Sequence, residues 1–236
     1  MKNYLRMPLT EVREFTETIL AGYFKGKKRS DIRQIDIEDF ARYLKLKVCH
    51  VPFAEDDKGK LGFLSDGTTT LQVYENGSIV KKTYPKDTIV IDSFLCNPEY
   101  VTKYRYTVSH EIGHHLLTKY GYAPSKAAFS NDFDSERGYD FAELDDMFKL
   151  NESQANTVGA YLLMPMFLVK RYVKEQFGNR RIPVYGRYMM RQDTKQRIAR
   201  VANQLGVSFG ALRIQLEHLN LIDYHDATEF VVEVEN

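Results

Sequence analysis

Two histidines and a glutamate within one helical segment have the types and spacing of a metal site. The segment reads His110-Glu111-Ile112-Gly113-His114, and residues four apart in an α-helix lie one turn above each other on the same face. The two imidazoles can therefore share one metal ion. Glu111 lies about 100° around the helix from His110, so its carboxylate can reach a metal-bound water without binding the metal itself. The pattern predicts metal-assisted hydrolysis with Glu111 as the general base.

The residues around this motif favour a helix anchored in a core. Val108, Ile112, Leu116 and Leu117 place apolar side chains on one face of the same segment, and a β-branched run precedes it. The alternative is a surface pair of histidines that binds no metal. The apolar face makes the metal site the preferred hypothesis.

A catalytic zinc site usually has three protein ligands, so a third donor is needed. Glu152 is the preferred candidate because it opens a predicted helix in which Ala155 and Gly159 form a stripe of small residues. This stripe would let the helix pack closely against the helix of the HExxH motif and bring Glu152 to the metal. Asn156, one turn after Glu152, is a candidate for orienting a ligand through a hydrogen bond.

Other residues compete for these roles. Three more carboxylates precede Glu152, namely Glu143, Asp145 and Asp146. A glutamate at a helix start can also simply interact favourably with the helix dipole, so spacing alone leaves the role of Glu152 open. His115 projects about 140° away from His110 around the helix and is expected to lie outside the metal site.

The rest of the chain predicts an α+β architecture with a small mixed sheet and an active-site helix. Short strands are expected at 46–51, 62–64, 69–74, 79–82 and 87–92. Asn76-Gly77 predicts a tight hairpin between two of them, and the strand at 87–92 is expected to be buried on both faces. The helices are expected at 10–24, from Asp31 or Asp36 to 44, from Pro98 to Leu117, and at 151–163 and 167–177. A long, partly acidic loop is expected over residues 125–150.

Length and composition exclude several classes of protein. With 236 residues, 43% of them hydrophobic and 28% charged, the chain has the composition of a soluble globular protein with a sizeable core. The 33 Lys and Arg residues nearly balance 32 Asp and Glu residues, so no global field attracts DNA or an anionic membrane. The apolar stretch 158–169 is too short to cross a bilayer. Two cysteines, and no apolar run near residue 1, indicate a cytoplasmic location.

The last third of the sequence predicts a separate helical region. Residues 180–200 contain seven Lys and Arg but one Asp, whereas 201–236 contain one Arg and six Asp and Glu. We therefore expect a metallopeptidase-type domain over residues 1–179 and a second region over 180–236. Within it, the spacing of Ala202, Gly206 and Leu212 fits a helix-turn-helix, which makes DNA binding an alternative function. That alternative is less favoured because Arg213 is the only candidate base-reading cation of the second helix.

Several runs together resemble the cytoplasmic metallopeptidases of the ImmA/IrrE family. The runs are TIVIDSFL, RYTVSHEIGHHLL and ESQANTVGAYLLMP, in which the HExxH motif is followed by Glu-x-x-Ala-Asn and Leu-Leu-Met-Pro. The run VANQLGVSFGALRIQLEHLNLI resembles the helical segment that follows the peptidase, so the resemblance covers roughly residues 85–222. Two departures are Gln154, where the family often has an acidic residue, and Val158-Gly159, where it usually has an aromatic residue and alanine.

The resemblance implies a zincin-like fold, zinc as the cofactor and a protein as the substrate. His110, His114 and Glu152 would be the zinc ligands, and Glu111 would be the base. The substrate would be a regulatory protein, commonly a DNA-binding transcriptional repressor, cut by a zinc-dependent endopeptidase. Two alternatives stay open: a DNA-binding regulator that acts through residues 180–236, and a zinc-binding regulatory protein without proteolytic activity.

Overall fold

Five of the seven strands in the described residues lie in the first half of the chain, and five of the eight α-helices lie wholly in the second half. The computed structural model describes residues 7–54, 60–122 and 141–234. Its helices are α1 (Leu9–Tyr23), α2 (Ile37–Tyr43), α3 (Val101–Lys119), α4 (Phe141–Leu163), α5 (Met166–Phe177), α6 (Gln192–Leu205), α7 (Phe209–His218) and α8 (Ala227–Val234). Its strands are β1 (Lys47–Val51), β2 (Gly62–Ser65), β3 (Thr70–Glu75), β4 (Ser78–Thr83), β5 (Thr88–Asp92), β6 (Ile182–Tyr185) and β7 (Ile222–His225). The predicted α+β class is confirmed. Among the described residues, no helix combines the length and apolar character needed to cross a membrane.

The central sheet contains three strands in the order β1-β5-β2. β1 runs parallel to β5, with Lys47 opposite Thr88, whereas β2 runs antiparallel to β5, with Gly62 opposite Ile91. The first four residues of β5 are buried, as expected for a β-branched strand covered on both faces. The bounds of all five strands predicted before residue 100 are correct to within one residue. β1 and β2 form the two edges of this sheet.

Strands β3 and β4 form the hairpin that Asn76-Gly77 predicts. Asn76 has φ 51° and Gly77 has φ 80°, and this pair of left-handed residues matches the twist of a two-residue hairpin. The hairpin packs through Leu71 and Val73 into a buried cluster with residues of the central sheet and its flanking segment. The other cluster residues are Phe53, Phe63 and Val90.

Helix α3 holds the HExxH motif against the sheet. Its predicted apolar face is confirmed, because Val108, Ile112, Leu116 and Leu117 are all fully buried. The helix packs on β2 and β5, while a short helical turn at Pro98–Tyr100 leads into it. Burial of one face fixes the rotation of the helix and therefore the direction in which the motif residues point.

Helix α4 begins earlier than predicted. The expected loop at 125–150 ends by residue 141, and the helix starts at Phe141 instead of Asn151. Residues 141–150 read FAELDDMFKL, in which Ala, Glu, Leu, Met and Lys are strong helix formers, so their intrinsic preference outweighs the acidic character. Residues 125–140 of the predicted loop lie outside the described ranges. The helix ends before Pro165, as the sequence predicts.

Residue contacts divide the chain into two compact units. One contains Met1–Gly26 and Asp36–Leu162, and the other contains Lys27–Ile35 and Leu163–Asn236. The functional boundary between 179 and 180 stays a prediction, whereas the contacts place 163–179 with the second unit. That unit is not wholly helical, because β6 and β7 pair in parallel. The sequence does not predict these two strands, because four residues are too few to show an alternating pattern and Pro183 in β6 is unfavourable within a sheet.

Lys45 occupies a position after α2 where glycine is the usual residue. Its φ is 67°, and the N–H groups of Leu46 and Lys45 donate to the carbonyls of Ala41 and Arg42, both at 2.9 Å. These are the two hydrogen bonds of a Schellman motif. Because a β-carbon is unfavourable in this conformation, Lys45→Gly is expected to raise the free energy of unfolding by about 1 kcal/mol.

Urea denaturation tests this expectation against Lys47→Gly. Lys47 is an exposed residue of β1 with an extended backbone, so glycine there is expected to lower stability. If Lys45→Gly also unfolded at lower urea, the left-handed conformation would not be a source of strain.

Candidate metal centre

Helices α3 and α4 approach each other closely at two glycines. A β-carbon added to Gly113 would lie 2.6 Å from the carbonyl oxygen of Ala155, and one added to Gly159 would lie 2.9 Å from that of Ser109. Neither position can accept a larger residue unless the two backbones move apart. The predicted close packing of the Ala155 and Gly159 stripe against the HExxH helix is confirmed. The matching role of Gly113 was not anticipated.

This close contact makes Gly159→Ala a sensitive substitution. The added methyl group would press on the backbone of α3, so we expect a loss of about 1–3 kcal/mol in the free energy of unfolding. Affinity for a metal ion should fall as well, because Glu152 belongs to the same helix. Chemical denaturation and a zinc titration measure the two effects. Gly210→Ala in α7 is the matched control, because an added β-carbon there meets nothing within 4 Å; equal effects in both variants would contradict the packing role.

Three donor side chains from these two helices bring their ligand atoms close together. The Nε2 atoms of His110 and His114 lie 3.0 Å apart. Glu152 places one carboxylate oxygen 3.2 Å from the His110 Nε2 and the other 3.3 Å from the His114 Nε2. Bonds of about 2.0–2.1 Å at the tetrahedral angle put neighbouring ligand atoms about 3.3 Å apart. The three side chains can therefore hold one metal ion, as the sequence predicts.

Asn156 orients the His110 ring through a hydrogen bond to Nδ1, the ring nitrogen that does not face the other two donor residues. Its Oδ1 lies 2.9 Å from the His110 Nδ1 and accepts a second hydrogen bond, at 3.0 Å, from the Tyr106 hydroxyl. Because an amide oxygen only accepts, the hydrogen of the neutral imidazole resides on Nδ1 and the Nε2 lone pair is available to a metal. The predicted orienting contact of Asn156 is present. Tyr106 was not identified, although its place one turn before His110 was the available signal.

The electrostatics of the cluster favour a cation. Hydrogen bonds from His110 and His114 hold the pKa of Glu152 well below its usual range, although burial opposes the shift. Burial lowers the pKa of His110, but the hydrogen bond to Glu152 and the charges of Glu111 and Glu152 outweigh it and raise the pKa overall. The carboxylate therefore stays ionised, and the imidazoles are held where positive charge is stabilised. A divalent ion would take the place of the shared proton.

Glu111 is buried beneath strand β2. Its relative exposure is 6%, and a β-carbon on Gly62 would lie 2.8 Å from its Oε1 and 2.6 Å from the Thr107 Cγ2. Only glycine lets the strand pass this close to the carboxylate. The carboxylate borders a cavity of about 490 Å³ that the three donor residues also line. The cavity thus brings a buried carboxylate and a potential metal site to one space of ligand-binding size.

Of the remaining candidates from the sequence, His115 lies outside this group. The His115 Nδ1 lies 3.5 Å from an Asp87 carboxylate oxygen, and the ring is outside the three-donor cluster, as expected. The competing carboxylates belong to a part of α4 whose side chains are outside the described structure. They are Glu143, Asp145 and Asp146.

No protein-family model matches the sequence, and no curated protein is significantly similar to it. The class that the fold and the site define is an α+β protein with a His-His-Glu group able to hold a metal ion.

Proposed function

We propose that this protein is a zinc-dependent endopeptidase of the zincin type, similar to the ImmA/IrrE family, that cuts a specific regulatory protein. The observation that carries the proposal is a group of three donor side chains beside the buried carboxylate of Glu111, in which the two His Nε2 atoms lie 3.0 Å apart and each lies 3.2–3.3 Å from one Glu152 carboxylate oxygen. A DNA-binding transcriptional repressor is the substrate that the family resemblance implies. A cytoplasmic location, inferred from the two cysteines, is compatible with such a substrate.

The donor chemistry favours zinc over the other common divalent ions. Two imidazole nitrogens and one carboxylate oxygen suit zinc, whereas calcium and magnesium prefer ligand sets made of oxygen. Three protein ligands are also the usual number for a catalytic site. When bound, zinc supplies a Lewis acid that polarises a carbonyl group and lowers the pKa of water.

The proposed mechanism uses Glu111 as the base and other polar residues of the cavity as hydrogen-bond donors. Glu111 takes a proton from the attacking water and later delivers it to the leaving amine, so no covalent intermediate forms. Developing negative charge on the carbonyl oxygen needs hydrogen-bond donors. The candidates that line the cavity are Lys60 and Lys103, because the Tyr106 hydroxyl already donates its hydrogen to Asn156.

The open edge of β2 suits an extended polypeptide. Within the described residues, β2 pairs with β5 on one side and with no strand on the other. An extended segment of the substrate can add to such an edge through main-chain hydrogen bonds. Because Gly62 of this strand lies against Glu111, a segment bound there would pass beside the base. This geometry favours a protein substrate over a small molecule.

The alternative of DNA binding has weaker support. The Arg213 guanidinium of α7 donates to Glu217 at 3.0 Å and lies 4.6 Å from the centre of the Tyr188 ring. The same helix exposes Phe209 and Ile214, which are apolar. A helix that reads bases in the major groove needs polar and cationic side chains, so this surface suits a protein contact better.

A search for new protein termini tests the proposed activity. The zinc-loaded protein is incubated with extract of the cells that produce it, and new N-termini are identified by mass spectrometry. We expect a few cuts in one regulatory protein, lost with 1,10-phenanthroline and restored by excess zinc. If the protein held stoichiometric zinc but produced no zinc-dependent terminus, the function would instead be that of a metal-binding regulator without proteolysis.

A further inference from the structure

A second cavity lies directly beside the metal centre. It encloses about 400 Å³ and shares the walls formed by Glu111 and His114 with the first cavity. Strand β2 and its flanking residues border both spaces, with Lys60 to Gly62 at the first and Leu64 to Asp66 at the second. From Gly62 to Ser65 an extended chain rises roughly 10 Å. A substrate side chain in the second cavity would therefore belong to a residue within about three positions of the cleaved bond.

Three lysines border this second cavity from three different elements. Lys45 follows α2, Lys86 precedes β5 and Lys119 is the last residue of α3. All three are exposed. None of them takes part in the ion pairs formed within residues 7–54, 60–122 and 141–234. Their ammonium groups are thus available to an anionic ligand.

Two of the three carboxylates of the same wall already have partners. Asp66 accepts four hydrogen bonds of 2.7–3.0 Å from the backbone N–H groups and hydroxyls of Thr68 and Thr69. Asp87 faces the His115 ring at 3.5 Å, and Glu111 is the buried carboxylate of the proposed base. The wall therefore carries three carboxylates and three lysines, and two of these carboxylates already contact other residues.

Lys45 gives a separate reason to regard this charge as functional. Its left-handed backbone, with φ 67°, would be more stable with glycine. Strained residues often mark functional sites, and the strain here keeps a cation at the rim of a cavity. Leu44 and Leu64 line the same space and provide apolar surface for methylene groups. A short acidic side chain matches this combination of an apolar wall and a cationic rim.

We propose that the second cavity is a subsite for a substrate carboxylate, and that the enzyme prefers an Asp or Glu side chain close to the cleaved bond. This inference rests on the proposed endopeptidase function and specifies its substrate class. The substrate carboxylate belongs to a side chain, because an endopeptidase cuts within a chain. A carboxylate at the end of the substrate chain has the same chemistry, and the binding experiment distinguishes the two.

Short hydroxamates test the subsite by binding, without any need for turnover. The hydroxamate group binds zinc, and the attached peptide extends either toward its N-terminal or toward its C-terminal side. For each orientation, one ligand contains glutamate and a matched ligand contains glutamine, and both end in an amide. For the orientation that extends toward the C-terminus, a third ligand contains glutamine and ends in a free carboxylate. Affinities for the zinc-loaded protein are measured by isothermal titration calorimetry at low and high salt.

We expect the glutamate ligand of one orientation to bind about tenfold more tightly than its glutamine partner, a preference that shrinks at high salt. Lys86→Gln and Lys119→Gln should each reduce the preference. Lys45→Gly should reduce it while stabilising the fold, which separates the binding role from the structural one. Lys81→Gln, an exposed lysine of β4 outside both cavities, should leave it unchanged.

Three results would overturn the inference. Equal binding of the glutamate and glutamine ligands in both orientations would remove the subsite and leave the proposed function intact. Tighter binding of the free terminal carboxylate would assign the lysines to a chain end. Binding of no hydroxamate at all would contradict the zinc site itself, and with it both the proposed function and the subsite.

Discussion

His114→Ala is expected to lower the affinity for zinc by more than about 100-fold. Residues that only orient a ligand already contribute about 10–100-fold to metal affinity, so the loss of a direct ligand should exceed that range. The His114 Nε2 lies 3.0 Å from that of His110 and 3.3 Å from Glu152, so its removal leaves two donors. Two protein ligands with added water bind a zinc ion more weakly than three protein ligands do. Glu152→Ala should have an effect of the same kind.

The neighbouring His115 provides a matched control for this experiment. His115→Ala removes the same side chain from the next position of the same helix, but its ring contacts Asp87 and not the three donors. Zinc content after dialysis, together with competition against a chelator of known affinity, measures the difference. Wild-type affinity in His114→Ala, or an equal loss in His115→Ala, would show that the metal is held elsewhere.

The sequence predicts those features of the fold that depend on local periodicity. Helix α3 and strand β5 have strong patterns, because one carries an apolar helical face and the other begins with four β-branched residues. Two members of the three-donor group also follow from local periodicity, because His110 and His114 are four residues apart and therefore lie on one face of the helix. Glu152 was harder to assign, and the small residues Ala155 and Gly159 supplied the signal, because close packing of helices depends on side-chain size.

Features that depend on contacts between distant segments were not predicted. Gly62 and Gly113 allow backbones to approach the site, but a glycine in a sequence does not reveal what lies beside it. The short strands β6 and β7 form through mutual pairing across nearly forty residues. Lys45, Lys86 and Lys119 meet at one cavity only because three elements converge there. Local sequence patterns contain no information on such convergence.

Glu111→Gln is expected to leave zinc affinity nearly unchanged and to reduce peptide hydrolysis by about 10²–10⁴-fold. Glutamine has the size of glutamate, so it fits beneath Gly62, where a β-carbon would lie only 2.8 Å from the Glu111 Oε1. It cannot take a proton from water, and Glu111 is not one of the three converging donors.

The measurements are zinc content, the midpoint of chemical denaturation and kcat/KM on the substrate identified from its new termini. Glu175→Gln, at an exposed position of α5, is the control and should keep full activity. Full hydrolysis by Glu111→Gln would assign the base to another residue, whereas loss of activity together with zinc would make Glu111 part of the metal site.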